Sequence, residues 1–388
     1  MCHTRPAHRV PLLCIVPPHI LKHLALGKPR ALAEWALHTL VLSERMRGSR
    51  AVLGALAPIA VTPAGVKRRT VYDALNAERL PGTLVRSEGD PPTADVAVNE
   101  AYDGAGVTYD LYREAFGRNS IDGRGMRLDS TVHYGRKFDN AFWDGRQMVY
   151  GDGDGTIFQR FTKCLDVIGH ELTHGVTEAE ASLEYQDQPG ALNESFSDVF
   201  GSLVKQYHLG QTAAQADWLI GAGLFARGVK GKALRSMKAP GTAYDDPRIG
   251  KDPQPGHMKD YVETREDSGG VHINSGIPNR AFYLAATALG GSAWRKAGRI
   301  WYVALRDRLR PDSDFADAAR VTGQVAAELY GGDGAEAGAV RDAWKAVGVA
   351  VVAVSRRTGE DRVQAQRGAR GDQRAARARQ RRAAARRA

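Results

Sequence analysis

Two histidines four residues apart, with a glutamate directly after the first, lie in the stretch Asp166-Val167-Ile168-Gly169-His170-Glu171-Leu172-Thr173-His174-Gly175. On a helix, positions i and i+4 share one face, so this spacing predicts two imidazoles aimed at a single ion. Neutral imidazole suits zinc, and a catalytic zinc takes three protein ligands while keeping one position for water. Glu171 then stands beside that water as its general base. The same pattern standing alone also describes a surface helix, so a third ligand is what decides.

Twenty residues past His174, the segment Gly190 to Gly201 offers Glu194 and Asp198 at helical spacing. If this second helix packs antiparallel to the first, Glu194 completes a site of two histidines and one carboxylate. Asp198, one turn on, accepts the ring N–H of His170 and fixes its tautomer. An Asp and a Glu one turn apart are otherwise a solvated face. Here Ala191, Leu192, Phe196, Val199 and Phe200 surround them, and so apolar a setting turns the acids into protein. Farther on, Asp267-Ser268-Gly269-Gly270-Val271-His272 sets a histidine after a two-glycine turn that lets the backbone bend closely. From there His272 faces the metal with Asp267 orienting its ring, which is the placement a tetrahedral oxyanion needs; an ordinary loop histidine is the alternative.

The runs at His170–Glu178, Gly190–Gly201, Asn140–Gly145, Leu234–Met237 and Asp267–Gly276 occur in the order found in the thermolysin-like neutral zinc metallopeptidases, which the chain resembles from about Val71 to about Val349. Pro17-Pro18-His19-Ile20-Leu21 resembles a motif of the short precursor segments of protealysin-type members. The resemblance implies an α+β fold of two domains, a β-rich N-terminal domain and a mainly α-helical C-terminal one, with zinc in the cleft between them. It implies a precursor segment over 1–50 acting as an intramolecular inhibitor, a connector over 51–69, a β-rich domain over 70–176, a helical domain over 177–352 and a basic tail over 353–388. It implies that Tyr185 joins His272 at the oxyanion, and that Arg235 holds a substrate carbonyl. Phe158, Phe161, Val167 and Leu234 would line the pocket for a large apolar residue after the scissile bond; each also reads as plain core. Where strongly calcium-stabilised members carry ligands, this chain has Lys205, Leu219 and Ala222, with Asp166 and Asp217 remaining. The double calcium site is therefore expected to be absent.

Between Thr70 and Gly155 strand signals dominate. Asn140 to Trp143 and Gln147 to Tyr150 flank Asp144-Gly145, a hairpin signal. An exposed strand there would take an extended peptide onto its edge, with Asn140 and the Ala141 backbone as grips. Gly151 to Gly155 reads as a turn, since it lacks the spacing of a calcium loop. The stretch Ala31 to Arg47 is amphipathic, with Leu32, Trp35, Ala36, Leu40 and Ser43 on its buried face. Helices are expected from Ser202 onward, with periodic runs over Ile277–Leu289, Ser292–Leu309, Asp314–Tyr330 and Ala335–Val347.

The formal charge of +10 suggests nucleic acid until its distribution is followed. From Ser355 to Ala388 there are twelve arginines and three acids, so taking this +9 away leaves +1 for the rest. Such a tail, poor in apolar residues, is expected to be disordered, and nucleic acid is a partner only through its charge. Three cysteines, Cys2, Cys14 and Cys164, make no disulfide framework. No apolar run reaches membrane-spanning length, and the apolar run Pro11 to Val16 is too short for a classical signal peptide. The resemblance implies secretion, and the sequence leaves retention in the cytoplasm open. The sequence thus expects a zinc endopeptidase made as a zymogen and acting on peptides or proteins. Rival readings are a catalytically silent zinc-stabilised binding protein and a nucleic-acid-associated protein acting through its tail.

Overall fold

The computed structural model describes residues 13–53, 65–332 and 334–350. The Arg-rich tail, Cys2, Pro11 and Leu12 of the short apolar run, and much of the connector lie outside the described residues.

The chain enters through a two-residue strand β1 (Leu13–Cys14), a helix α1 (Pro18–Leu26) and a long helix α2 (Arg30–Leu53). Pro18 opens α1, where a missing N–H costs nothing. The buried stripe of α2 is Ala36, Thr39, Leu42 and Ser43, with Leu32, Trp35 and Leu40 only half-buried. Thr39 displaces the expected stripe because its hydroxyl accepts from the Asp139 N–H at 3.2 Å, a bond no apolar pattern reveals.

Strands β2 (Arg69–Asp73), β3 (Thr83–Ser87), β4 (Leu128–Val132), β5 (Ala141–Trp143) and β6 (Gln147–Tyr150) join β1 in a six-stranded sheet ordered β1-β5-β6-β4-β2-β3. The hairpin signal is realised: β5 and β6 pair antiparallel with Phe142 opposite Val149, and Asp144 Oδ1 accepts from the N–H groups of Arg146 and Gln147. The neighbours β2 and β4 run parallel, which demands a crossover. That crossover is a helix, α3 (Val96–Phe116), within a region read as strand-dominated. Asp95 caps it, accepting from Ala97 N and Val98 N, and Gly117 ends it in the left-handed conformation.

The edge of β5 is not open. Cys14 lies opposite Phe142 and Leu13 opposite Trp143, so the chain's own strand β1 is added antiparallel where an extended peptide was expected.

Helices α4 (Leu165–Ala179) and α5 (Asp187–His208) form the centre. Every residue of α4 from Asp166 to Thr177 is buried, so it is enclosed on all sides rather than amphipathic. The pair is antiparallel, since Asp166 meets Lys205, His170 meets Asp198 and His174 meets Asn193. Gly201 sets their separation: a Cβ there would sit 2.4 Å from Asp166 O and 2.9 Å from His170 N.

Helices do not resume directly after α5. Residues 209–266 are largely irregular, held by short ribbons β7 (Leu219–Ile220) with β8 (Arg235–Ser236) and β9 (Asp245–Asp246) with β10 (Gly250–Lys251). The rest is helical: α6 (Asp267–Asn274), α7 (Gly276–Leu289), α8 (Ala297–Asp307), α9 (Phe315–Tyr330) and α10 (Ala335–Ala346). α8 begins at Ala297 rather than Ser292, and residues 293–296 form turns instead. Trp301 and Trp344 stack with ring centres 6.2 Å apart, and Trp344 donates to Thr322 Oγ1, tying α8, α9 and α10 together. No described helix is long and apolar enough to cross a membrane.

Candidate active site

One turn of α4 separates His170 from His174, and their Nε2 atoms come within 3.0 Å of each other with rings nearly perpendicular. Glu194 on α5 brings Oε2 to 3.6 Å from His170 Nε2 and Oε1 to 3.5 Å from His174 Nε2. The three side chains are fully buried. The far nitrogens are committed: His170 Nδ1 donates to Asp198 Oδ1 at 2.8 Å, and His174 Nδ1 lies 2.8 Å from Asn193 Oδ1 and 2.9 Å from Ser197 Oγ. With the Nδ1 protons so placed, both Nε2 lone pairs and a carboxylate converge on one point. Glu194 Oε2 has no hydrogen-bond partner among the described residues. A buried oxygen in that state beside two facing lone pairs fits a cation, and this donor set suits zinc.

Asp198 is the hub behind the pincer. Its Oδ1 accepts from His170 and from Arg235 Nη2 at 2.7 Å, its Oδ2 from Arg235 Nε and Asn279 Nδ2 at 2.8 Å each. Burial pushes its pKa up, but the Arg235 guanidinium and the His170 N–H outweigh that and hold it well below the usual carboxylate range. Glu171 is buried, and its Oε2 accepts from the Trp143 N–H at 3.0 Å, which fixes it against β5.

His272 arrives from α6, whose first turn is broken by positive φ at Ser268, Gly269 and Gly270. A Cβ on Gly269 would lie 2.0 Å from Asp187 Oδ1, so glycine is required there. His272 Nδ1 donates to Asp267 Oδ1 at 2.7 Å, and the His272 backbone N–H donates to Asp267 Oδ2. Its Nε2 faces the Tyr185 hydroxyl at 3.3 Å and the carbonyl oxygen of Cys14 at 3.0 Å. Burial lowers the His272 pKa, but Asp267 and Glu194 outweigh it and push it up to about 9. Tyr185 donates to Glu194 Oε1, and burial with the nearby carboxylate keeps its phenol protonated.

The residues expected to grip a peptide all meet one segment of the chain itself. Ile15 N donates to Ala141 O at 3.2 Å, and Val16 N donates to Asn140 Oδ1 at 3.0 Å. Arg235 Nη1 donates to Ile15 O at 3.0 Å. Ile15 is fully buried in the same apolar core as Phe158, Phe161, Val167 and Leu234. Arg235 thus does two jobs, holding a backbone carbonyl with one nitrogen and Asp198 with two others.

Sequence reasoning did not find Asn193, Ser197 or Asn279. The first two had a signal, since they sit on the Glu194 face of α5 and His174 needed a partner as His170 did. Asn279 had none, because only the packing of α7 brings it to Asp198. At the far end of the α4–α5 interface, Lys205 Nζ lies 2.7 Å from Asp166 Oδ2, 2.9 Å from Asp217 Oδ1 and 2.7 Å from Leu219 O.

Residues 64–178 match the family model of the thermolysin metallopeptidase catalytic domain, and residues 181–349 that of its alpha-helical domain. An extracellular metalloprotease of Pectobacterium carotovorum subsp. carotovorum is 54% identical over 342 residues, covering 88% of this chain and 97% of that protein. Protease PrtS of a Photorhabdus strain is 54% identical over 286 residues, covering 73% of this chain and 76% of its own. Among solved structures, the precursor of protealysin, a metalloproteinase from Serratia proteamaculans, superposes with a TM-score of 0.80 at 55% identity, over 87% of this chain and 100% of that one.

Proposed function

The chain belongs to the thermolysin metallopeptidase family and is a metalloendopeptidase of α+β, two-domain architecture; from that premise we propose how its own residues divide the work. His170, His174 and Glu194 hold one zinc, which when bound supplies a Lewis acid and lowers the pKa of water. Glu171 takes a proton from the attacking water and returns it to the leaving amine. His272 and Tyr185 donate to the oxygen of the scissile carbonyl as charge develops on it. Asp267 is a positioning residue that holds His272, and Asp198 does the same for His170. Asn140, Ala141 O and Arg235 grip the substrate backbone, and Phe158, Phe161, Val167 and Leu234 favour a large apolar residue after the scissile bond.

The observation that carries this reading is the buried convergence of two imidazoles and a carboxylate with an oxygen left over. A silent binding protein would not need Glu171, Tyr185 and His272 arranged around it. We further propose that residues 1–50 keep the enzyme inactive until removed; the bonds from Ile15 and Val16 to the grips support this, as does the likeness to a precursor. The name of the Pectobacterium relative supports action outside the cell. Lys205, whose ammonium neutralises Asp166 and Asp217, supports the absence of the double calcium site. An acidic partner for the Arg-rich tail rests on charge alone and forms no part of the proposal.

Glu171→Gln tests the mechanism. The variant should keep one zinc per chain and lose about 10²- to 10⁴-fold in kcat on a quenched peptide, together with self-processing. Undiminished turnover would remove Glu171 from the chemistry.

A further inference from the structure

Segment 13–16 does more than cover the cleft. It runs antiparallel to β5, Cys14 opposite Phe142, and offers its backbone to the grips one atom at a time. On one side of the Cys14–Ile15 peptide, the carbonyl oxygen lies 3.0 Å from His272 Nε2. On the other side, the Ile15 N–H donates to Ala141 O at 3.2 Å and the Ile15 carbonyl accepts from Arg235 at 3.0 Å. The Ile15 side chain is fully buried in the apolar core containing Phe158, Phe161, Val167 and Leu234. Among the described residues, the Cys14 carbonyl is the one in the segment that meets His272. At the next bond, Ile15–Val16, the Val16 N–H donates to Asn140 Oδ1 but the carbonyl is held by Arg235 instead of His272, and Val16–Pro17 and Pro17–Pro18 have no N–H on the far side to donate to a grip.

We propose, on the strength of the peptidase reading above, that Cys14–Ile15 is the first bond the enzyme cuts, and that it cuts it in its own chain. Water adds its oxygen to the Cys14 carbonyl carbon, the C–N bond breaks, and both protons of that water pass to the Ile15 nitrogen. The products are a Cys14 carboxylate and an Ile15 ammonium. The cut does not open the site. Residues from Ile15 onward stay anchored by α1, where Ile20, Leu21 and Leu24 are buried, His19 Nε2 lies 2.9 Å from the Tyr244 hydroxyl, and Lys22 pairs with Glu266 at 2.9 Å. The segment is thus a substrate whose product does not leave, and later removal of residues 15–50 is a separate event.

The test uses the full chain purified without metal. Amide exchange before zinc is added should show the Ile15 and Val16 N–H groups protected. On adding zinc, intact-mass spectrometry should show residues 15–388 as the first new species, at a rate independent of protein concentration and before hydrolysis of an external peptide begins. Ile15→Asp, which would bury a carboxylate in an apolar pocket, should slow that cut by about tenfold or more and expose both amides, while Ile15→Leu restores both. If zinc-loaded chain hydrolyses the external peptide but its first cut falls elsewhere, the inference is overturned and the peptidase reading stands. If neither the external peptide nor the chain is cut, both fall together.

Discussion

The interface between α4 and α5 carries two groups of cation-seeking side chains, one towards each end, and they are satisfied differently. At one end Asp166, Asp217 and the Leu219 carbonyl surround the Lys205 ammonium, so the chain supplies its own positive charge. Burial lowers the pKa of Lys205, but Asp166 and then Asp217 more than reverse this, so it remains charged. At the other end His170, His174 and Glu194 converge without a cationic side chain between them, and Glu194 Oε2 lacks a partner among the described residues. The difference separates a structural charge balance, which a lysine can provide, from a catalytic one, which needs an ion with a coordination position to spare.

The comparison breaks most sharply at Glu194. Glu194→Ala should abolish both bound zinc and peptide hydrolysis, as read by metal analysis and a quenched peptide; retained stoichiometric zinc would mean the third ligand lies elsewhere. At the other end, Lys205→Met should leave zinc binding intact but strand Asp166 in the interior, costing about 3–5 kcal/mol in denaturant unfolding. Lys205→Glu should make the melting temperature rise with calcium, whereas the parent chain should not respond. A calcium-dependent gain of several degrees in the parent would show that the ammonium has not replaced the ion.

Asp198 sharpens the contrast, because it accepts from His170 while Arg235 supplies its positive charge. Asp198→Asn should weaken zinc affinity by about 10- to 100-fold, measured by competition with a chelator. The smallest effect belongs to the N-terminal segment. His19 is mostly buried beside Tyr244, and burial, only partly offset by Asp267, lowers its pKa from 6.5 to about 4. Released, the same imidazole takes up a proton near pH 6.5, so docking is favoured above that pH and weakens as pH falls towards 4. At pH 5 the loss amounts to about 2 kcal/mol. The protection factor of the Ile15 amide, the observed exchange taken against the free-peptide rate at each pH, should fall between pH 7 and 5, and His19→Gln should flatten that dependence.

What was legible in the sequence was local. His170, Glu171 and His174 are fixed by spacing on one helix, and the apolar neighbours of Glu194 and Asp198 turned those acids inward before any packing was known. The β5–β6 hairpin was equally plain, since Asp144-Gly145 is a turn by its own chemistry. The crossover α3 was hidden because Gly104, Gly106, Val107 and Thr108 weaken its helical signal. Only contact explains the glycine at 104, where a Cβ would lie 2.4 Å from Ile168 Cδ1. The occupied edge of β5 was unreadable for a related reason: the edge was visible, but nothing in Leu13 to Val16 states that it pairs with a strand more than a hundred residues away.

The central claim is that a single ion joins two turns of α4 to one of α5. Anomalous diffraction at the zinc edge, on crystals of the full chain carrying Glu171→Gln, tests it directly. The account predicts one strong peak bonded to Nε2 of His170, Nε2 of His174 and a carboxylate oxygen of Glu194, with none beside Lys205. A peak outside that group, or none in zinc-equilibrated crystals, would contradict it.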